Sequence, residues 1–294
     1  MQKRNVLNSK HLNELKRKKR RILKIKIIFF VIIFILFLIG LIFLSRWQNL
    51  NIDNITITGN KVVETKEIEE IIHSKIDGYY LWFFPKTNFI LYPKKAIKNE
   101  LFTKFKRFKD IFINDKNIKT LIISVTEREG KYTWCGENIP LSEKVEENQC
   151  YFMDENGYIF DNALYFSGNI YFKFFGKING EIENPIGSYF LQENFTQITS
   201  FIENLKQMEL KLSYLVVNSD QDIEIYLKPR DNINIPKIIL KSNSDFEKIA
   251  ENLQSVLTTE PLQSDFKNKY SSLLYIDLRF GNKIYYKFED GLNE

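Results

Sequence analysis

The chain has 294 residues and a net charge of +5, with 12 Gly, 7 Pro and 2 Cys. These counts exclude collagen-like, low-complexity and disulfide-framework proteins. The hydrophobic fraction of 44% is that of a folded protein, and the length allows two domains of ordinary size. A net positive charge would ordinarily suggest an acidic partner. Whether this interpretation of the net charge holds depends on where the charged residues lie in the sequence.

Positive charge is concentrated at the N-terminus. Residues 1–26 contain eleven Lys and Arg and one Glu, so this segment carries +10 and the other 268 residues carry −5. The uncharged run IIFFVIIFILFLIGLIFLS follows at residues 27–45 and would span about 28 Å as a helix, close to the hydrocarbon thickness of a bilayer. We predict a basic cytoplasmic tail at 1–26, a transmembrane helix at 27–45, Trp47 at the outer interface, and the remainder outside the cytoplasm.

An apolar run also occurs in the core helices of soluble proteins and in cleaved signal peptides. A buried core helix would need a completely apolar surround directly after a strongly basic tail. A cleaved signal peptide has a shorter apolar region, and the sequence LSRWQNLN that leaves the run lacks a small-residue cleavage pattern. The basic tail could also hold anionic lipid headgroups, but we interpret it as a topology signal.

The only cysteines, Cys135 and Cys150, lie in the part predicted to be exported. They flank a polar insert between two strand-like stretches, REGKYTWC and CYFMDENGYIF. If these stretches pair in antiparallel fashion, the cysteines face each other, and a disulfide would close a loop of about 15 residues worth about 3 kcal/mol. The alternative is two free, partly buried thiols. The spacing does not suit CxxC redox chemistry or a zinc site.

The first outer segment, residues 52–129, predicts the order strand, helix, helix, strand, strand. Alternating isoleucines mark the first strand, and we expect Thr65 to cap a helix that begins at Lys66. A second helix with apolar residues on one face precedes two strands, KDIFIN and TLIISVTERE. Near the end of the last strand, Glu127 and Glu129 are expected to share a solvated face.

An aromatic stretch, GYYLWFFPKTNFILYP, separates the two helices, and Lys86–Lys109 contains eight cations and one anion. Basic residues interleaved with aromatics occur in nucleic-acid sites, but nucleic acid is rarely the ligand outside the cell. We therefore predict no nucleic-acid partner. The preferred interpretation is a buried aromatic core with a solvated basic face, and contact of Lys86–Lys109 with anionic lipid is a further hypothesis.

From residue 130 to residue 290 the pattern is mainly that of strands, interrupted by two amphipathic helices near Asn194–Met208 and Asp245–Leu257. Ser244 is the expected N-cap of the second helix. The last stretch, LLYIDLRFGNKIYYKF, predicts a hairpin in which Gly281-Asn282 joins two alternating strands. The fold class predicted for the whole chain is α+β, with a mainly antiparallel second domain and two packed helices.

No catalytic constellation is recognisable in the sequence. The histidines are His11, in the predicted cytoplasmic tail, and His73, at a helix end. The motifs GxSxG, HExxH, Walker A and GxGxxG are all absent. We therefore predict a binding or scaffold protein with no catalytic residues, no cofactor, no metal and no small-molecule substrate.

The chain resembles the FtsQ/DivIB family of bacterial cell-division proteins over nearly its whole length. The motifs that carry the resemblance are NIDNITITGN, TLIISVTERE, CYFMDENGYIF and YIDLRF, in this order after one membrane helix. The resemblance implies a POTRA domain at 52–129, a β domain at 130–290 and a non-enzymatic scaffold in the cytoplasmic membrane at the septum. It also implies two partners, the coiled-coil membrane proteins FtsB/DivIC and FtsL, which connect to septal peptidoglycan synthesis.

The sequence departs from the family pattern at three points. Gly130 stands where the family usually has Pro after the ExRE-like motif, and Asn117-Ile118-Lys119 replaces a common Pro before the TLxI strand. The strand near Ile238 ends in Leu240-Lys241, where the family commonly has Gly. These differences weaken a fine alignment of contacts in the second domain.

The last hairpin is the predicted partner-binding site. A strand at a sheet edge has unpaired backbone groups that can add a strand from a partner. Arg and aromatic residues dominate interface hot spots, and the hairpin carries five of them: Arg279, Phe280, Tyr285, Tyr286 and Phe288. Strand alternation lets only half of these side chains face one way, so some belong to the core. We expect Phe280→Ala or Arg279→Glu to weaken partner binding without unfolding the domain.

Two other functions remain as alternatives. The first is a membrane-anchored exported enzyme that acts on the cell wall, for which the sequence shows no nucleophile or metal set. The second is a POTRA-bearing secretion or assembly factor, but the long amphipathic helices after residue 130 do not suit the β-barrel that usually follows such domains.

Overall fold

The computed structural model of the chain describes residues 10–139, 150–163, 170–230 and 234–289. Three predicted features lie partly outside these ranges: the start of the basic tail, most of the insert between the cysteines, and the limit at residue 290. The structure is a mixed α+β protein with two compact units, Met1–Glu127 and Arg128–Glu294.

The first element is one long helix, α1 (Lys10–Ser45). Its apolar residues from Ile22 to Leu44, apart from the half-buried Ile42, are 37–75% exposed. By length and composition α1 could cross a membrane or act as a signal sequence. A short 3-10 turn, Gln48–Leu50, follows it.

The rest of the first unit is a three-stranded sheet with two helices. Its elements in chain order are β1 (Asn54–Thr58), α2 (Thr65–Ile76), β2 (Tyr79–Tyr80), β3 (Phe84–Pro85), α3 (Lys94–Lys104), β4 (Phe108–Asn117) and β5 (Thr120–Glu127). The sheet order is β1-β5-β4, with β1 parallel and β4 antiparallel to β5. The two helices lie in the connection between β1 and β4 and supply five of the twelve buried core residues, among them Ile68, Ile72, Ile97 and Leu101.

The aromatic stretch between α2 and α3 does not form the buried core that the sequence predicted. Residues 79–83 are all exposed, and only short pairing of β2 with β3 organises them. Phe89 and Tyr92, farther along, do pack against the core. The prediction was wrong for the first half of the stretch because a hairpin with two-residue strands has no second layer to bury its rings.

The predicted cap of α2 and one predicted solvated carboxylate also differ in the structure. The helix α2 begins at Thr65, one residue earlier than expected, and the Thr65 hydroxyl accepts a hydrogen bond from Asn60 Nδ2 at 3.0 Å. Glu127 is not merely solvated. Its carboxylate accepts hydrogen bonds from the backbone N–H groups of residues 61–63 at 2.8–3.1 Å, which closes the loop before α2.

The second unit is built on one nine-stranded sheet. The strands are β6 (Tyr132–Trp134), β7 (Tyr151–Met153), β8 (Ile159–Asn162), β9 (Phe172–Phe175), β10 (Leu212–Val217), β11 (Asp222–Leu227), β12 (Lys237–Lys241), β13 (Leu273–Phe280) and β14 (Lys283–Phe288). Their order is β14-β13-β12-β11-β10-β9-β6-β7-β8. Five of the eight neighbouring pairs are antiparallel, as predicted, and β6–β9, β9–β10 and β12–β13 are parallel.

The helices of this unit are α4 (Phe195–Gln207), α5 (Phe246–Leu257) and α6 (Leu262–Asn268). The predicted bounds of α4 and α5 are confirmed within two residues. The short helix α6 was not predicted, because only two of its residues are apolar. The cap of α5 is Asp245, which accepts from the Lys248 N–H at 3.2 Å, and not Ser244. All three helices lie in the crossovers of parallel pairs, where a chain must leave the sheet to return in the same direction.

The main core of the second unit lies between the helices and one face of the sheet. Along β11, for example, Ile223, Ile225 and Leu227 are fully buried, while Asp222, Glu224 and Tyr226 alternate with them and point to the other face. We call that other face the open face. It has only a small apolar cluster, built around Cys135, Phe175 and Val216.

Candidate functional site

The terminal hairpin forms one edge of the nine-stranded sheet. The strands β13 and β14 pair in antiparallel register, with Ile276 opposite Tyr286 and Asp277 opposite Tyr285. Gly281 has a φ of +67°, so the predicted Gly281-Asn282 turn uses a conformation that a residue with a Cβ rarely adopts. Among the described residues, no strand pairs with the outer side of β14, so its outer backbone groups can accept an added strand.

Strand alternation divides the aromatic residues of the predicted site into two groups. Phe280 and Tyr285 are 56% and 49% exposed, and their rings meet edge to face with centroids 5.1 Å apart. Tyr286 and Phe288 are half-buried and pack against the main core on the helix face. The structure therefore leaves one exposed aromatic pair at the edge strand and assigns the other two rings to the fold.

Arg279 forms hydrogen bonds and ion pairs within the sheet. Its guanidinium donates to both carboxylate oxygens of Asp277, with distances of 2.9 and 2.6 Å, and to Asp222 Oδ2 at 2.6 Å. Because Asp222 belongs to β11 and Asp277 to β13, these bonds connect two strands across β12. Arg279 is thus a cross-link within the open face, and Arg279→Glu would bring three carboxylates together and destabilise the sheet.

The environment favours the ionised form of the Asp277 carboxyl. Burial acts to raise the pKa of Asp277, but hydrogen bonds and charge from Arg279 outweigh it, and the pKa is lowered. The same two carboxylates raise the pKa of Arg279, with the hydrogen bond to Asp277 as the largest cause. A carboxylate with a lowered pKa does not donate a proton at neutral pH, so this cluster suits a structural role better than acid catalysis.

A second ionic cluster lies on the same face. Glu224 accepts a hydrogen bond from Lys237 Nζ at 2.8 Å and another from the Tyr226 hydroxyl at 2.7 Å. Burial acts to raise the pKa of Glu224, but these hydrogen bonds outweigh it, and the pKa is lowered. The pKa of Tyr226 is raised by its burial and by the neighbouring Glu224. The Tyr226 ring stacks on Tyr214 with centroids 4.6 Å apart. Polar pairs therefore link β11, β12 and β13 on the open face.

The cysteines lie at the other half of the sheet. The strands β6 and β7 pair in antiparallel register, with Trp134 opposite Tyr151, which puts the next residue on each side at the base of the insert. The sulfurs of Cys135 and Cys150 are at bonding distance, 2.05 Å. A covalent link at this position closes the insert against the sheet and is independent of the terminal hairpin.

Sequence reasoning missed the partners of Arg279. Asp277 was visible beside it, but Asp222 lies 57 residues upstream, and only the tertiary pairing of β11, β12 and β13 brings them together. The alternation in DIEIYL would have placed Asp222, Glu224 and Tyr226 on one face, which is the signal that was available.

No family model matches the chain, and no curated protein matches it.

Proposed function

We propose that the protein is a non-enzymatic scaffold of the bacterial division machinery that binds FtsB/DivIC-like and FtsL-like coiled-coil membrane proteins and links them to septal peptidoglycan synthesis. The observation that carries the proposal is the edge strand β14, whose outer side pairs with no strand in the described part of the chain. Such an edge gives a partner strand a row of backbone donors and acceptors.

The exposed pair next to the edge supplies side-chain contacts for the partner. Phe280 and Tyr285 present two rings on the open face, and aromatic residues of this kind are typical interface anchors. Lys283 and Lys287 are exposed on the same strand. Lysines on an edge disfavour indiscriminate pairing, so a partner strand with acidic residues opposite them fits best.

The N-terminal part supports a membrane location for this scaffold. The uncharged run at 27–45 within α1 is long and apolar enough to cross a bilayer and follows the strongly basic residues 1–26, which favours a cytoplasmic N-terminus and exported units. We take residues 52–129, whose main elements come in the order strand, helix, helix, strand, strand with the short β2–β3 hairpin between the helices, as a POTRA domain, and residues 130–290 as the β domain. In this proposal the protein is single-pass and resides in the cytoplasmic membrane at the division septum.

Binding to purified coiled-coil partners tests the proposal. We expect Phe280→Ala or Tyr285→Ala to cost about 2 kcal/mol, or roughly 30-fold in affinity, as for interface anchors elsewhere. The matched control is Phe112→Ala, because Phe112 on β4 is similarly exposed at 59% but lies in the first unit. Unchanged affinity in both hairpin variants would place the docking site elsewhere.

Localisation provides an independent test. A fluorescent fusion of the full chain is expected to concentrate at the division site, and the Phe280→Ala, Tyr285→Ala double variant is expected to fail to recruit the coiled-coil partners there. A uniform membrane signal in dividing cells would contradict the division role. This conclusion would hold even for a variant that still binds the partners in solution. Accessibility of an introduced C-terminal tag to protease added outside the cell checks the orientation.

A further inference from the structure

The hairpin β2–β3 exposes an unusual amount of apolar surface. We call residues 79–83 (YYLWF) the aromatic tip; within it Trp82 is 88% and Leu81 is 78% exposed. Single exposed apolar residues are common, but five consecutive ones form a patch of the kind that contacts a partner or a membrane. All five residues of the tip are at least 37% exposed.

The aromatic tip is bound directly to the end of α1. Arg46 follows the last residue of the helix, and its Nε donates to the Phe83 carbonyl at 3.1 Å while Nη2 donates to the Trp82 carbonyl at 3.4 Å. The same guanidinium lies over the Tyr79 ring, 5.5 Å from the centroid. The tip is therefore held within one side-chain length of the point where the apolar helix ends.

A second set of bonds fixes the height of the hairpin along the axis of α1. The buried Asn88 side chain donates to the carbonyl of Ser45, the last residue of α1, at 3.1 Å. The Thr87 hydroxyl donates to Asn51 Oδ1 at 2.9 Å, and the Phe89 N–H donates to the Leu50 carbonyl at 3.1 Å. The residues that follow the hairpin are thus attached to the end of α1 and to the segment that leaves it.

The backbone of the tip adds an independent observation. Leu81 and Trp82 have φ values of 47° and 69°, in the left-handed region that suits Gly or Asn and costs about 1 kcal/mol or more for other residues. A turn with these angles would be formed more easily by small residues. Two large apolar side chains in these positions add exposed surface to the tip and no core packing.

We propose that the aromatic tip inserts into the interfacial layer of the bilayer that α1 crosses, on the side where α1 ends. The inference rests on the membrane-spanning part of the proposed function. The uncharged run of 19 residues has about the length of the hydrocarbon core, so Ser45 and Arg46 lie at its boundary, and the tip bound to Arg46 lies at the same level. Trp and Tyr side chains are favoured in this layer because it is apolar on one side and hydrated on the other.

The charges around the aromatic tip fit the lipid headgroups. Arg46 and Lys86 place two cations against it, the exposed pair Lys94-Lys95 follows in the chain, and phosphate oxygens are natural partners for such cations. Lys86 Nζ also lies 5.7 Å from the centroid of the Tyr80 ring, so apolar and cationic groups alternate along the hairpin. With α1 and the aromatic tip both in the bilayer, the first unit has two attachment points and a restricted tilt.

The three tryptophans of the chain allow a direct test in the full-length protein. Trp47 follows α1, Trp82 is in the aromatic tip, and Trp134 is 2% exposed in the core of the second unit. Each is kept as the only Trp by changing the other two to Phe, and each variant is placed in nanodiscs of phosphatidylcholine brominated near the carbonyl end of its acyl chains. We expect Trp82 emission to be quenched about as strongly as that of Trp47, and Trp134 emission to be unchanged.

The outcomes separate the inference from the proposal on which it rests. Quenching of Trp47 without quenching of Trp82 overturns insertion of the aromatic tip and leaves the membrane span intact. Absence of quenching at both positions overturns the span and the insertion together. A blue-shifted Trp82 emission that bromine does not quench identifies a protein occupant and overturns the lipid assignment.

A second variant guards against loss of folding on replacing Trp134. The single change Trp47→Phe keeps Trp134 in place, so its buried ring supplies a constant, unquenched background to the Trp82 signal. A separate double variant, Leu81→Ser with Trp82→Ser, keeps Trp47 as the reporter. We expect the quenching of Trp47 in this variant to be unchanged. The proposal is contradicted if the bromine-dependent loss in Trp47→Phe is no greater than in the Trp134-only protein.

Discussion

Replacement of Arg279 tests the assignment of this residue to the structure of the open face. The change Arg279→Met removes the guanidinium and keeps most of the aliphatic stem. It breaks two hydrogen bonds to Asp277, at 2.9 and 2.6 Å, and the bond to Asp222 at 2.6 Å. The Arg279 backbone N–H, which also donates to Asp277 at 3.1 Å, is kept.

The expected loss of unfolding free energy follows from how deeply the side chains of the ion pair are buried. Removing one member of a buried ion pair costs about 3–5 kcal/mol, whereas exposed pairs contribute about 0–1 kcal/mol. The Asp277 side chain is 8% exposed and that of Arg279 is 30% exposed, so the pair lies between these cases. We expect the variant to lose about 2 kcal/mol of unfolding free energy at neutral pH, because Asp277 is left as a nearly buried charge with one remaining donor.

The effect has a defined pH dependence. The folded-state pKa of Asp277 is lowered because bonds from Arg279 outweigh the raising effect of burial. The stabilisation by Arg279 is therefore complete above the unfolded-state pKa of about 3.9 and is lost as the pH falls through the lower folded-state value. In Arg279→Met the same carboxyl is buried without its cation, so its pKa rises. The difference in stability between the two proteins should be largest at neutral pH and should shrink on acidification.

Urea unfolding of the full chain in nanodiscs measures this difference. In a Trp47→Phe, Trp82→Phe background, emission of the buried Trp134 reports on the second unit. The control is Arg230→Met, because the Arg230 guanidinium donates to the Lys267 backbone carbonyl, and we expect it to cost less than about 0.5 kcal/mol. The reasoning is refuted if Arg279→Met costs no more than this control, or if its cost is the same at about pH 7 and about pH 3.

Three further variants test other contacts. Glu127→Gln is expected to destabilise the first unit by about 1 kcal/mol in thermal unfolding, because the carboxylate that accepts from residues 61–63 loses its charge. The control Glu70→Gln, on the surface of α2, should leave the unfolding midpoint unchanged. Equal unfolding midpoints for the two variants would contradict the role of Glu127 in closing the loop before α2. Replacing Cys135 and Cys150 by Ser should cost about 3 kcal/mol in urea, and titration of two free thiols in the oxidised protein would disprove the disulfide. Tyr286→Ala should lower the stability of the second unit by about 2 kcal/mol because its ring packs on the core, and a variant that lost only partner affinity would show that Tyr286 belongs to the binding surface.

Local sequence patterns were sufficient for most of the secondary structure. The helices α4 and α5 follow from apolar residues at i, i+3 and i+4, and the terminal hairpin follows from Gly281-Asn282 between alternating strands. These features depend on residues close in sequence. The predicted caps Thr65 and Ser244 were each displaced by one residue: Glu64 precedes α2 without a side-chain capping bond, and the Asp245 carboxylate caps α5.

The roles within the candidate site depended on contacts between distant segments. The set of five hairpin residues was predicted from residue type alone, and alternation indicated that only some could face a partner. Which ones do so depends on where the helices lie, and they cover Tyr286 and Phe288 but not Phe280 and Tyr285. Partner binding by the exposed pair stays a prediction, and the Arg279 cross-link could not be foreseen because its second carboxylate comes from β11.

The sequence by itself determined the long apolar helix, the α+β character and the order of helices and strands, because these depend on composition and on periodicities of a few residues. Only the tertiary structure decided that an aromatic stretch would be exposed, since the two-residue strands that carry it have no second layer to bury its rings. It also decided that an arginine of a predicted binding motif would link two strands, because one of its carboxylate partners lies 57 residues upstream. Both outcomes depend on how distant segments pack, which local patterns do not identify.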